Sequence, residues 1–229
     1  MKRFYKEVSV AGAGPFAIHL DGREVKTPRR ATLSLPTRGL AEAVADEWRT
    51  QGEEVKPAAM PLTKLANTAI DRVAGREPAV IDKIMAYSND LLCYRVSAPP
   101  DLVMRQEIAW NPLIDWAAGR YGAQLTTQVG ITHFPQPEEA IAALRRAVEA
   151  FDPFALAALH NAATILNSLV LTLALAEGRL DAEAAFVLAH QDERYQAERW
   201  GEDHESVLRA RALAAELAAV ERFIRLAKG

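Results

Sequence analysis

The chain has 229 residues, half of them hydrophobic and a quarter charged, with a net charge of −3 and a pI near 6.0. That is enough apolar side chain for one large domain or two modest ones, and it lacks the basic excess of a general nucleic-acid binder. The single cysteine, Cys93, excludes an internal disulfide.

MKRFYKEVSV has no apolar core of a secretory signal, and no transit peptide is visible, so a soluble intracellular protein is expected. The first forty residues read as strands. FYKEVSV alternates in part, PFAIHLDGREVKT gives two short runs around Asp21-Gly22, a hairpin signal, and ATLSLP adds a run ending at Pro36. AGAGP, residues 11–15, reads as a turn, because it lacks the third glycine and the strand-to-helix setting of a dinucleotide loop.

The period then changes. Leu40, Val44 and Trp48 follow at i+4 steps, one stripe of an amphipathic helix, with Thr37 as N-cap and Gly52 as stop. Leu62, Leu65, Ala69 and Val73 repeat the theme after Pro61. From about residue 78 the pattern is helical in series: VIDKIMAYSNDLL, IAWNPLIDWAAGRYG, EEAIAALRRAVEAF, a Phe154–Ala176 run, an Asp181–Trp200 run and a Ser206–Lys228 run, with QLTTQ as one extended piece. The longest apolar stretch, 162–176, contains Asn167 and Ser168 and falls short of the roughly 20 residues a membrane span needs, so it reads as a buried helix. The expected architecture is an α+β N-terminal layer domain over residues 1–77 followed by an all-α helical-bundle domain over residues 78–229.

AHQDERYQAERWGEDHE, residues 189–205, concentrates the chemistry. On a helix, His190 shares a face with Glu193 and Arg194, which gives two metal ligands beside a cation. His204 lies past Gly201, and His19, His133 and His160 are isolated, so no metal site is expected. Glu193 and Glu198 are five residues apart and point in different directions, unlike a paired acid and base. No nucleophile elbow, phosphate loop or Cys-x-x-Cys motif occurs. Cys93 in DLLCYR reads as a buried thiol. Two readings of 189–205 remain open: a solvated helix end anchored by Trp200, or a recognition surface in which Tyr, Trp and Arg supply contact area and acids select a basic partner. Trp48 reads as structural, packed on the Leu40–Val44 stripe.

RFYKEVSV, HLDGREVKTP, LAEAVADEWRTQGEEVKPAAMPLTKLANTAID, SNDLLCYR, QEIAWNPLIDW, LNSLVLTLALAEGRL and ERYQAERWG, in that order and spacing, resemble the assembly chaperones of the ATP synthase catalytic head that bind the free alpha subunit. The resemblance runs from about Arg3 to Trp200. It implies a two-part α+β and helical fold and a non-enzymatic, transient hold on alpha that prevents its aggregation until it pairs with beta. It implies no cofactor and no metal. Carried onto the matching motifs, it makes Glu193, Tyr195, Gln196, Glu198 and Trp200 the expected partner-binding residues, with Asp90 and Arg95 in SNDLLCYR as further ones. A monomer without nucleic-acid binding or stable membrane insertion is expected. The family that it resembles is found in mitochondria and in bacteria; the ready-to-fold N-terminus and the alanine-rich composition favour a bacterial cytoplasmic protein, with the mitochondrial matrix as the setting of a processed eukaryotic form. The alternatives are a carboxylate-based enzyme with a cleft in the helical domain, which requires a pocket holding at least two acids with shifted pKa values, and a structural subunit of a permanent complex.

Overall fold

In a computed structural model describing residues 1–229, the chain opens on two tight turns. Strands β1 (Val8–Ala11) and β2 (Phe16–Leu20) pair antiparallel, with Val8 opposite Leu20 and Ala11 opposite Ala17. The AGAGP stretch joins them. At Gly12, φ is +107° and a Cβ would sit 2.6 Å from the Pro15 carbonyl oxygen, so only glycine fits. β2 then pairs with β3 (Arg23–Glu24) across Asp21-Gly22. Both turn residues have positive φ, 49° and 78°, the geometry of a two-residue hairpin matched to strand twist. The Asp21 carboxylate accepts the backbone N–H groups of Glu7 (2.8 Å) and Lys6 (3.0 Å), which hold its pKa below the usual range. β4 (Ser34–Leu35) pairs with the start of β2. Ile18, Leu33 and Leu35 are fully buried beneath this sheet.

Helix α1 (Arg38–Arg49) packs on β1 and β2. Thr37 caps it, accepting the Leu40 N–H at 3.1 Å, and Leu40 and Val44 are completely buried. The helix stops at Arg49 with Thr50 as its cap, two residues ahead of the expected stop at Gly52. Trp48 is half-buried. Its ring meets Tyr5 edge-on at 5.7 Å, and its backbone carbonyl accepts the Tyr5 hydroxyl at 2.7 Å. The indole N–H is buried without a partner. Trp48→Phe keeps an aromatic ring against Tyr5 and removes that unpaired donor while giving up part of the indole's volume, so it is expected to cost only about 1 kcal/mol. Trp48→Ala loses the packing and is expected to cost about 3 kcal/mol. Chemical denaturation of the two variants separates these contributions.

Glu47 joins α1 to α2 (Pro61–Thr68). Its carboxylate accepts the N–H groups of Leu62 and Thr63 (both 2.8 Å) and the Thr63 hydroxyl (2.7 Å). These are free donors of the first turn of α2, where a negative charge is favoured. Burial nevertheless raises the Glu47 pKa. A π-turn, Ala69–Val73, extends α2. It carries Asp71, which accepts the Thr27 hydroxyl at 2.6 Å and the Arg29 N–H at 3.0 Å and so ties the helix to the strand region.

The rest is mainly helical: α3 (Glu77–Met85), α4 (Pro100–Tyr121), α5 (Glu138–Glu149), α6 (Pro153–Leu166), α7 (Leu169–Ala176), α8 (Ala182–Ala189), α9 (Gln191–Trp200) and α10 (His204–Lys228). Two two-residue strands, β5 (Tyr94–Arg95) and β6 (Gln128–Val129), pair in parallel among them, the latter at the end of the QLTTQ piece. Two helical runs of the sequence are each divided in two. The Phe154–Ala176 run breaks at Asn167, in the left-handed region at φ 50°, where Ser168 begins α7 by accepting the Leu171 N–H. The Asp181–Trp200 run breaks at His190.

The chain divides into two compact units. The first comprises 1–80 with 152–158 and 219–229, and the second 81–151 with 159–218; sequence pattern alone put a boundary near residue 77. Within the first unit, Phe154 stacks on the fully buried Phe223 at 6.2 Å, and the Thr37 hydroxyl donates to the Leu226 carbonyl at 2.5 Å. Within the second, every residue of α7 is buried, with α4 and α8 packed against it. No helix is long and apolar enough to cross a membrane.

Candidate functional site

The 189–205 stretch is built on α9, which lies beside α4 and runs antiparallel to it. Gln106 of α4 donates to both carboxylate oxygens of Asp192 (2.9 and 3.0 Å) near the start of α9. Asp101, more than a turn earlier on α4, meets the far end of α9, accepting the Tyr195 hydroxyl at 2.8 Å and the Arg199 guanidinium at 2.5 Å. Arg105 completes the seam with a 2.8 Å ion pair to Glu198. The guanidinium groups of Arg199 and Arg105 lie 4.6 and 5.2 Å from the centre of the Tyr195 ring, within range of cation–π attraction. The hydrogen bond from Tyr195, reinforced by Arg199, lowers the Asp101 pKa. Burial and the facing Asp101 carboxylate raise that of Tyr195.

This seam sorts the expected partner-binding residues. Tyr195 is buried, 3% exposed, and fixes α9 in place. Glu193, Gln196, Glu198 and Trp200 are exposed on α9. Trp200, at 77% exposure, ends the helix just before Gly201. Asp90 has no exposed surface at all. Its two carboxylate oxygens accept the Leu92 N–H at 3.0 Å and the Val170 N–H at 2.8 Å, capping a 3-10 turn and the first turn of α7. Arg95 is half-buried and braced, with Nε on the Leu92 carbonyl, Nη1 on the Gln106 carbonyl, and its guanidinium over the Trp110 ring. Asp90 and Arg95 thus bind their own chain. Asp101, Arg105 and Gln106, which position α9, were not singled out by sequence reasoning. The i, i+4 pairing of Asp101 with Arg105 was the available signal, and it is common on any exposed helix.

His190 stacks on Phe186 at 4.0 Å and its Nδ1 lies 3.0 Å from the Phe186 carbonyl oxygen. No three His, Cys, Asp or Glu side chains gather where a metal ion could be held. The Cys93 thiol is fully buried, and burial pushes its pKa up to about 12. A surface depression of about 460 Å³, lined by Gln124, Leu125, Thr126, Pro137 and Glu139 among others, offers a single carboxylate.

A family model described as ATP12 chaperone protein matches residues 2–118, just over half of the chain. The chain belongs to the ATP12 chaperone family. The matched region holds α1, α2 and most of α4, and thus the Asp101–Arg105 side of the seam. Matches to relatives of this ATP12-family protein extend beyond that region. The crystal structure of Atp12 from Paracoccus denitrificans is similar at a TM-score of 0.94 and 42% identity, covering 99% of this chain and 98% of that one. A structure from Agrobacterium tumefaciens gives 0.94 and 43%, covering 98% and 85%. The mitochondrial protein atp12 of Schizosaccharomyces pombe is 27% identical over 214 residues, 87% of this chain and 74% of its own length.

Proposed function

We propose that this ATP12-family protein is an assembly chaperone of the ATP synthase catalytic head, and that it holds the free alpha subunit until alpha pairs with beta. The observation that carries the reading is the outer face of α9. A large indole, Trp200, stands 77% in water on the face of α9 that also carries Glu193 and Gln196, while the other face is pinned to α4, in part through Glu198. Exposed tryptophan costs hydration free energy, and tryptophan is enriched among residues that dominate binding. An alpha subunit outside its ring exposes surface meant for beta, and such surface aggregates. Covering it needs apolar contact, and release needs only competition from beta. On this reading the protein acts as a monomer, without catalysis, in the bacterial cytoplasm or the mitochondrial matrix; its relatives include two bacterial proteins and one mitochondrial protein.

Light scattering tests this reading. Unfolded alpha diluted into buffer is expected to scatter less with an equimolar amount of this protein, and to pass to beta when beta is added. Undiminished scattering with a folded preparation would remove the function. Trp200→Ala is expected to weaken alpha binding at least about tenfold, a loss of about 1.4 kcal/mol. Its melting transition should stay in place, because an exposed side chain contributes little to folding.

A further inference from the structure

Four exposed residues follow one another on α4, Asp101, Met104, Arg105 and Ile108. Their i, i+3, i+4, i+7 spacing makes a single stripe along the helix. Asp101 and Arg105 hold α9 through Tyr195, Arg199 and Glu198. Met104 and Ile108 hold nothing comparable and are 59% and 71% exposed. The core needs neither, because α4 already buries Leu102, Trp110, Leu113 and Ile114 on its other side. Two large apolar side chains one turn apart in water, bordering the helix that carries Trp200, form a patch with an energetic reason to be covered.

We propose that Met104 and Ile108 are apolar anchors of the partner surface that also carries Trp200, and that they receive a segment of the alpha subunit whose apolar side chains are flanked by lysine or arginine. The inference rests on the alpha-binding reading above. Charge selects the occupant. Glu107 beside the stripe, Glu193 on α9, and Glu202 and Glu205 just after it are exposed and join none of the ion pairs of this face. The cations Arg105 and Arg199 are already matched by Glu198 and Asp101, and the half-buried Arg95 is braced by backbone carbonyls, which leaves Arg194 and, one turn after Glu205, Arg209 against the four acids. The net field is negative. It attracts a basic segment and opposes a second copy of the same face or an anionic membrane. Pro112 strengthens the polar side of the match. It has no N–H to give the carbonyl of Ile108, so the ordinary helical partner of that acceptor is missing beside the anchor.

The test titrates the full chain into purified ATP synthase alpha subunit. Met104→Ser combined with Ile108→Ser is expected to weaken binding at least about tenfold, as loss of a central anchor does. Glu107→Lys is expected to weaken it several-fold and to flatten its dependence on salt. Both variants should melt with the wild type. A benzophenone amino acid at position 108 of the otherwise unchanged chain should cross-link to alpha, which keeps the test valid if the double variant unfolds. Wild-type affinity in the double variant, or no cross-link from position 108 while the wild type binds alpha, would overturn the anchor assignment and leave the chaperone reading intact. Failure of the wild type to bind alpha would overturn both. Self-association of the wild type that is lost in the double variant would assign the stripe to a second copy instead.

Discussion

Trp110→Ala is expected to destabilise the protein by about 3–5 kcal/mol, the cost of removing a large buried aromatic whose site collapses only in part. Trp110 is 1% exposed and is among the largest fully buried side chains. Three losses coincide. Its ring volume leaves the core side of α4. Its indole N–H, which donates to the Leu188 carbonyl of α8 at 3.0 Å, leaves that acceptor unpaired. The Arg95 guanidinium, 5.2 Å from the ring centre, loses its aromatic support. Urea denaturation reads the change as a lower midpoint with an unchanged slope. A loss below about 1 kcal/mol would mean the ring is not a keystone of the second unit.

Asp90→Ala should cost about 2–4 kcal/mol, because it strands the buried N–H groups of Leu92 and Val170 at once. The cost should also depend on pH. Burial raises the Asp90 pKa from 3.8 to about 6, against the opposing pull of those N–H groups. Between these values the folded state binds a proton that the unfolded state has released, so the Asp90 contribution to stability falls as pH rises through the window and levels off above it. A shift of that size corresponds to about 3 kcal/mol. The gap between wild type and variant should therefore be widest near pH 4 and narrow towards pH 7. Melting curves of both proteins at pH 4, 5, 6 and 7 supply the comparison. A gap that widened with pH would mean that the capping bonds outweigh desolvation.

Elements fixed by local physics were legible from sequence. The Asp21-Gly22 hairpin, the Thr37 cap and the buried α7 each follow from a few neighbouring residues. The breaks at Asn167 and His190 were not legible, because neither position carries the glycine or proline that normally marks an interruption. At Asn167 the chain uses the tolerance of asparagine for positive φ instead. On the candidate surface, Trp200 and Glu198 are exposed. Tyr195 and Asp90 show why residue type is a weak guide. Both have the chemistry of contact residues, and both spend it on their own chain, a choice set by tertiary neighbours dozens of residues away in sequence. Met104 and Ile108 went unnoticed for the converse reason. Apolar residues at helical spacing look like core until the opposite face of the same helix is seen to fill it.

The first unit closes on residues 152–158 and 219–229. Thr37, which begins α1, donates to a carbonyl 189 positions further along the chain, and Phe223 lies wholly inside. During synthesis the sheet and α1 leave the ribosome well ahead of Phe154 and Phe223, and the surface that these two rings will cover stays open until the segment carrying Phe223 has been made. Translation sets a minimum waiting time of order ten seconds or more at ordinary elongation rates. A protein whose proposed task is to shield another chain's unfinished surface thus spends a long stretch of its own synthesis with one of its own uncovered.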